Sequence, residues 1–128
     1  MEILQGIDLL KVERVKKIYL SYEGKFLKKI LTDLEIKQIK KNQKIYYKIA
    51  GKFSAKEAVA KAIGTGFSNG IKIKDIEILN LKNGKPIINL YGEAKKLIGN
   101  IESSSISISN DGGFVVSIAT FLIKKELN

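Results

Sequence analysis

The sequence predicts an α+β fold, an antiparallel sheet packed against one long helix, and three observations carry that prediction. The first half of the chain repeats its apolar residues at helical spacing, whereas the second half switches to alternation. An Ala-rich run from about Ile45 to Ile63 reads as a long helix closed by Gly64. Two turn sequences, Asn83-Gly84 and Asn110-Asp111-Gly112-Gly113, separate alternating segments in the manner of hairpins. At 128 residues and 45% hydrophobic, the chain suits one compact domain spanning 1–128. No linker, internal repeat or low-complexity tail interrupts it.

The elements follow in order. Residues 2–10 run apolar and suit a buried strand. From Lys11 to Tyr22, Val12, Val15, Ile18 and Tyr19 form a helical stripe with Arg14, Lys16 and Lys17 off it. Gly24 breaks this helix, and Lys25 to Leu31 makes a short one. Thr32-Asp33-Leu34-Glu35 is a capping-box pattern that starts another helix, to about Lys41, with a break at Asn42-Gln43. Beyond the long helix, Ile71-Lys72-Ile73 and Ile76-Glu77-Ile78-Leu79 alternate like strands. Ile87 to Leu90 forms the return strand of a hairpin, and Glu93 to Ile98 a short helix ended by Gly99. Ser105 to Ser109 pairs with Phe114 to Leu122 in a final hairpin.

Composition excludes several chemistries. There is no cysteine and no histidine, so disulfides, thiolate nucleophiles, imidazole bases and the usual zinc ligands are all absent. Any metal must be held by oxygens, which favours magnesium, manganese or calcium. The start of the chain lacks the basic and apolar regions of a signal peptide, and the run from Phe114 to Ile123 is too short to span a bilayer. A cytoplasmic protein without membrane contact is expected. The net charge of +10 points to an acidic or phosphorylated partner, although a lysine-rich composition drifting with an AT-rich genome explains part of it. Arg14, the sole arginine, stands out because a guanidinium is a planar bidentate donor that lysine does not replace.

Two carboxylates stand out as candidate ligands. Glu57 shares a helix face with Ala50, Phe53, Ala60, Lys61 and Gly64, so its surroundings are small or apolar. The simplest reading of Glu57 and Lys61 is a surface pair one turn apart, worth a few tenths of a kcal/mol. Asp8 changes the balance, because an Asp within an apolar strand is costly unless it is paired or metal-bound. Its alternative use is to cap a neighbouring turn. Gly64-Thr65-Gly66 follows a helix rather than preceding one, so it is a C-cap and not a phosphate loop. Phosphate recognition is therefore expected from lysine side chains.

These residues resemble the two signature motifs of the bacterial holo-acyl-carrier-protein synthases, the small class of 4′-phosphopantetheinyl transferases. The first is Gly6-Ile7-Asp8-Leu9-Leu10-Lys11-Val12-Glu13-Arg14-Val15. The second runs from Gly51-Lys52-Phe53-Ser54-Ala55-Lys56-Glu57 through Ala58-Val59-Ala60-Lys61-Ala62 to Gly64-Thr65-Gly66. Lesser matches are Phe26 to Thr32, Asp75 to Ile78, Gly84-Lys85-Pro86 and Ser107-Ile108-Ser109, in order across nearly the whole length. The resemblance implies transfer of phosphopantetheine from coenzyme A to a serine of apo acyl carrier protein, leaving 3′,5′-ADP, for fatty acid biosynthesis. It implies magnesium, with manganese as a substitute, on Asp8 and Glu57, and it places Lys61 beside the coenzyme A diphosphate. Asp8, Glu57 and Lys61 are thus the expected catalytic residues. Lys52, Lys61, Gly64, Pro86, Ser109 and Asn110 are the expected coenzyme A residues. Many members carry histidine where this chain has Asn110, so a mechanism with a histidine base does not apply here.

The resemblance further implies a homotrimer with active sites between subunits and a basic surface for the acidic carrier. Arg14, Lys17, Lys25 and Lys29 are expected there, with Phe26 as an apolar anchor. The competing reading is a binding module without chemistry, for nucleic acid or for an acidic carrier. Aromatic content of 8% without basic-aromatic interleaving, and the lack of any known nucleic-acid motif, argue against nucleic acid.

Overall fold

The computed structural model describes residues 1–22, 24–39 and 44–124. Strand β1 (Glu2–Lys11) leads directly into α1 (Val12–Tyr22), followed by α2 (Leu27–Ile30), α3 (Asp33–Ile39) and the long α4 (Ile45–Ile63). A 3-10 turn (Ile73–Asp75) precedes the hairpin of β2 (Ile76–Asn80) and β3 (Pro86–Leu90). Helix α5 (Gly92–Ile98) and the hairpin of β4 (Ile101–Asp111) and β5 (Phe114–Ile123) complete the chain. The expected α+β architecture is present, with the strands in two antiparallel ladders, β1-β5-β4 and β2-β3. The central β5 pairs with both β1 and β4, so the first and last strands lie side by side, with Gly6 opposite Ala119 and Asp8 opposite Ser117. Among the described residues no helix is long and apolar enough to cross a membrane.

Most of α4 is buried. Eleven of its 19 residues are buried, and seven of those are Gly, Ala or Ser, which lets neighbouring backbones come close. Its C-terminal half packs with Ile71, Ile76, Ile78, Ile98, Ile106 and Phe121. Its N-terminal half packs through Ile49 and Ala50 against Val12 and Val15 of α1, Leu31, Ile39 and Val115. The helix ends where the sequence predicts, with Gly64 at φ 103° as a left-handed cap whose N–H donates to the Ala60 carbonyl. Helix α3 starts at the capping box. The Glu35 N–H donates to Thr32 Oγ1 (3.2 Å) and the Thr32 N–H donates to Glu35 Oε1 (2.8 Å). The expected extension of this helix to Lys41 and the break at Asn42-Gln43 lie outside the described residues.

One expected strand is not formed. Ile71-Lys72-Ile73 alternates, but Asp75 accepts the Lys72 N–H on its carboxylate (3.0 Å) and returns its own N–H to the Lys72 carbonyl (2.9 Å). This local turn competes with a ladder and wins. The sheet β1-β5-β4 has unequal faces. Leu10, Val115, Ser117, Ala119 and Phe121 are buried on the side of α4, while Ile7 and Leu9 are 56% and 66% exposed on the other side with Ile3, Phe114 and Ile118.

Helix α4 and strand β1 approach closely at Gly6. A Cβ built there would lie 1.9 Å from the Ala58 carbonyl oxygen and 2.6 Å from the Ala62 nitrogen. Both are backbone atoms of a buried helix and have nowhere to retreat. Gly6→Ala is therefore expected to cost about 3 kcal/mol or more, or to prevent folding, as read by urea denaturation. Gly51→Ala meets only the Ile108 side chain at 3.5 Å. It should hold or raise stability, by up to about 1 kcal/mol through helix propensity.

Candidate active site

Strand β1 crosses α4 so closely at Gly6 that Asp8, two residues on, lands beside the turn carrying Glu57 and Lys61. Three hydrogen bonds fix the crossing: Ser54 Oγ donates to the Asp8 carbonyl (3.3 Å), and Lys61 Nζ donates to the Ile7 carbonyl (3.0 Å) and to Asp8 Oδ1 (3.3 Å). The ion pair of Lys61 is thus with Asp8 across two elements, and the simple helix-surface pair of Glu57 with Lys61 is not what forms. Asp8 sits mid-strand and caps no turn. Burial raises the Glu57 carboxyl above the ordinary glutamate range, the Asp8 carboxylate raises it further, and Lys61 offsets part of this. Two carboxylates held close enough to repel are an arrangement that a cation relieves. Among the described residues no cluster of three or more acidic, His or Cys side chains exists, so the described residues bring two carboxylates together here.

A groove of about 810 Å³ runs between the N-terminal half of α4, the β2–β3 turn and β4. Lys44, Lys48, Lys52 and Lys85 line it together with Tyr47 and Gly51. Of the residues expected to meet coenzyme A, Lys52, Pro86 and Asn110 line this groove. Ser109 is exposed on β4 between two lining residues, Ile108 and Asn110. Lys61 and Gly64 lie away from it, toward the acidic pair and the C-terminus of α4. Neither Asp8 nor Glu57 lines the groove: Glu57 is five residues beyond Lys52, about 140° round the helix at 3.6 residues per turn. Sequence reading missed Lys44, Tyr47, Lys48 and Lys85. The signal was available, since Lys44, Lys48 and Lys52 recur every fourth residue and Lys85 stands inside Gly84-Lys85-Pro86.

Lysines 52 and 56 point into the protein. Lys56 is fully buried, 2.7 Å from Glu35 Oε1, and donates to the carbonyls of Ile76 (2.5 Å) and Ile73 (3.3 Å). Lys52 donates to the Ile78 carbonyl (2.6 Å), Asn80 Oδ1 (3.3 Å) and Gln38 Oε1 (3.4 Å). Glu35 also accepts the Ile78 N–H (2.9 Å). Glu77, next along β2, accepts from Thr32 Oγ1 (2.5 Å), Tyr91 Oη (3.0 Å) and Asn89 Nδ2 (3.2 Å). Burial pushes the Glu77 carboxyl upward, but these three hydrogen bonds outweigh it and hold it below the usual range. The network ties α4 and α3 to β2, which carries the turn walling the groove.

The residues expected to dock a carrier gather on a second surface. Arg14 and Phe26 line one small apolar pocket of about 210 Å³ with Val15, Ile18, Ile49 and Phe53. Lys17 on α1, Lys25 before α2 and Lys29 on α2 are all exposed. The Tyr19 ring meets both Phe26 and Tyr46 edge-on, at centroid distances of 6.2 and 5.6 Å, and so braces the pocket against α4.

Comparison with known proteins shows the family. Residues 5–119 match the family model of the 4′-phosphopantetheinyl transferase superfamily. The holo-[acyl-carrier-protein] synthase of Chlorobaculum tepidum is 40% identical over 121 residues, covering 94% of this chain and 97% of the relative. The crystal structure of the Helicobacter pylori holo-[acyl-carrier-protein] synthase in complex with coenzyme A superposes with a TM-score of 0.82 at 34% identity, covering 93% of this chain and 100% of that one. The Plasmodium yoelii acyl carrier protein synthase with ADP bound superposes equally well, at 0.82 and 32% identity, covering 98% and 100%. The acidic pair, the groove and these likenesses together place the chain in the 4′-phosphopantetheinyl transferase superfamily, among the holo-[acyl-carrier-protein] synthases.

Proposed function

We propose that this chain transfers the 4′-phosphopantetheine group of coenzyme A to a serine of an apo acyl carrier protein, releasing 3′,5′-ADP, in the service of fatty acid biosynthesis. The observation that carries the reading is the closeness of two carboxylates, Asp8 of β1, which Lys61 pairs with, and Glu57 of α4, beside a helix whose other half floors a lysine-lined groove. The bound coenzyme A of the H. pylori relative and the bound ADP of the P. yoelii relative support assigning the groove to coenzyme A. The reading treats residues 1–128 as one transferase domain.

A magnesium ion fits the donor set. Two carboxylates and no nitrogen or sulfur ligand suit a hard cation that keeps several waters and takes further oxygens from substrate phosphates. Asp8 and Glu57 would hold it. There it would neutralise charge on the pyrophosphate and polarise the attacked phosphorus. Lys61, ion-paired to Asp8 and half exposed, is placed to meet the diphosphate as well. In the reaction the carrier serine oxygen forms a bond to the β-phosphorus. The bond from that phosphorus to the bridging oxygen breaks, and 3′,5′-ADP leaves with the electron pair. The serine proton goes to Glu57 or to a water it orients.

The groove and the acidic pair face different sides of α4, which favours a site completed between subunits. The exposed apolar face of the β1-β5-β4 sheet, with Ile3, Ile7, Leu9, Phe114 and Ile118, supplies a surface for the homotrimer. The pocket of Arg14 and Phe26, flanked by Lys17, Lys25 and Lys29, supplies a basic rim and an apolar seat for an acidic carrier.

The direct test is incubation with apo acyl carrier protein, coenzyme A and magnesium, followed by the intact mass of the carrier. A gain of one phosphopantetheine that EDTA abolishes is expected, and no gain with a competent carrier would refute the reading. Asp8→Ala and Glu57→Ala should each lower turnover on the order of 1,000-fold without unfolding the protein, since a bound cation contributes several kcal/mol to such a transition state. Arg14→Glu should raise KM for the carrier by about threefold to tenfold, leave kcat unchanged and flatten the salt dependence of the rate. Ile7→Lys should shift the sedimentation of the protein from trimer toward monomer, and an unchanged trimer would place the interface elsewhere.

A further inference from the structure

Lys52 and Lys56 stand one turn apart on the buried side of α4, and of the two only Lys56 has an ion-pair partner among the described residues. Lys56 is paired with Glu35 at 2.7 Å. Lys52, 4% exposed, donates to the Ile78 carbonyl, Asn80 Oδ1 and Gln38 Oε1, all of them neutral acceptors. An ammonium taken out of water without an opposite charge loses solvation that neutral acceptors only partly return. Yet this side chain lines the groove together with Lys44, Lys48 and Lys85. The missing negative charge thus has an open place to come from.

The charged surroundings of Lys52 are few. Glu35 faces it from α3 and is committed to Lys56, while Glu77 faces it from β2 and is committed to Thr32, Asn89 and Tyr91. Lys48 and Lys56 face it from α4, and Lys85 shares the groove wall from the β2–β3 turn. From β4 the groove presents only Ser105, Ile106, Ser107, Ile108 and Asn110, none of which titrates. Burial lowers the Lys52 ammonium to about 8; Glu35 and Glu77 offset part of this, and Lys56 and Lys48 add to it.

We propose that Lys52 is a proton-linked anchor of the groove: an anionic phosphate entering there supplies the counter-charge that the fold leaves out, and its binding takes up a proton at the Lys52 ammonium. The proposal rests on the coenzyme A reading of the groove. The sign follows from linkage. Below the value of the free protein Lys52 is charged in both states, and affinity does not depend on it. Above that value the free lysine is neutral and the bound one charged, so affinity falls by up to about tenfold per pH unit.

The experiment is calorimetric titration of the full chain with 3′,5′-ADP, which carries no thiol, at pH 7 and pH 9 in buffers of different ionisation enthalpy. The ligand phosphates, with second pKa near about 6, are ionised throughout, so proton exchange reports the protein. Uptake approaching one proton at pH 9, with little at pH 7, is expected. Lys52→Arg, always charged, should abolish both the uptake and the fall in affinity between pH 7 and pH 9. Lys52→Met should abolish the uptake and weaken binding at pH 7. Binding of wild-type protein without uptake at pH 9, or uptake that persists in Lys52→Arg, would overturn the proposal and leave the coenzyme A reading standing. Failure of both 3′,5′-ADP and coenzyme A to bind the wild-type protein at pH 7 would instead remove that reading, and the proposal with it.

Discussion

The contact on which the rest of this structure depends is the crossing of α4 over β1 at Gly6. A helix normally rides above a sheet on its side chains, but here a missing Cβ lets the Ala58 carbonyl and the Ala62 amide approach the strand backbone itself. The depth of that crossing decides where Asp8 falls relative to Glu57, and the electrostatic tension between the two carboxylates follows from it. It also explains why α4 is so rich in small residues on its buried sides: Ala50, Ser54, Ala55, Ala58 and Ala62 keep the rest of the helix as low as the crossing demands. A carboxylate pair on flexible loops would drift apart to lower its repulsion. Here both are mounted on packed backbone and cannot.

The opposite side of α4 solves a different problem. Two lysine side chains reach through the interior to take the carbonyls of Ile76 and Ile78, two residues apart on β2. They work as ties that set the rotation and the height of the helix relative to the second hairpin. The hairpin turn carries Lys85 and Pro86, so the shape of the groove is governed from the same anchors. A buried ion pair such as Lys56 with Glu35 adds little net stability compared with an apolar pair of the same shape, but it strongly disfavours any other alignment of the same elements. That preference for one geometry holds the groove in one shape.

Much of this was legible in the sequence, and the reasons are local. The capping box at Thr32 and Glu35, the glycine stop at Gly64 and the turns at Asn83-Gly84 and Gly112-Gly113 are each decided by a few neighbouring residues. That Asp8 would need a partner was legible, because an acid in an apolar strand calls for one, and Lys61 supplies it; its link to Glu57 came from the family resemblance. What was not legible depends on distant partners. Lysine is rarely buried, so nothing in Lys52 or Lys56 announces that Ile76, Ile78 and Glu35 await them. Glu35 reads fully as a cap and hides its second role. Alternation identifies the two faces of a strand but not its neighbour, so the placement of β5 between β1 and β4 was beyond reach. Ile71 to Ile73 failed in the other direction, because Asp75 offered the backbone a nearer partner than any ladder.

The central position of β5 has a consequence for how the protein comes into being. Asp8 and Ser117 are register neighbours although more than a hundred residues separate them. At a synthesis rate of about 5–20 residues per second, β1 waits several seconds for β5, the strand it pairs with. Through that interval one edge of an apolar strand, with Ile3, Ile7 and Leu9 among its residues, has no ladder to join. The helices can form early, but the crossing at Gly6 cannot be secured until the final hairpin closes, and such long-range closure is intrinsically slow. The nascent chain is therefore most open to capture by a chaperone, or to misassociation, in the seconds before its last strand emerges.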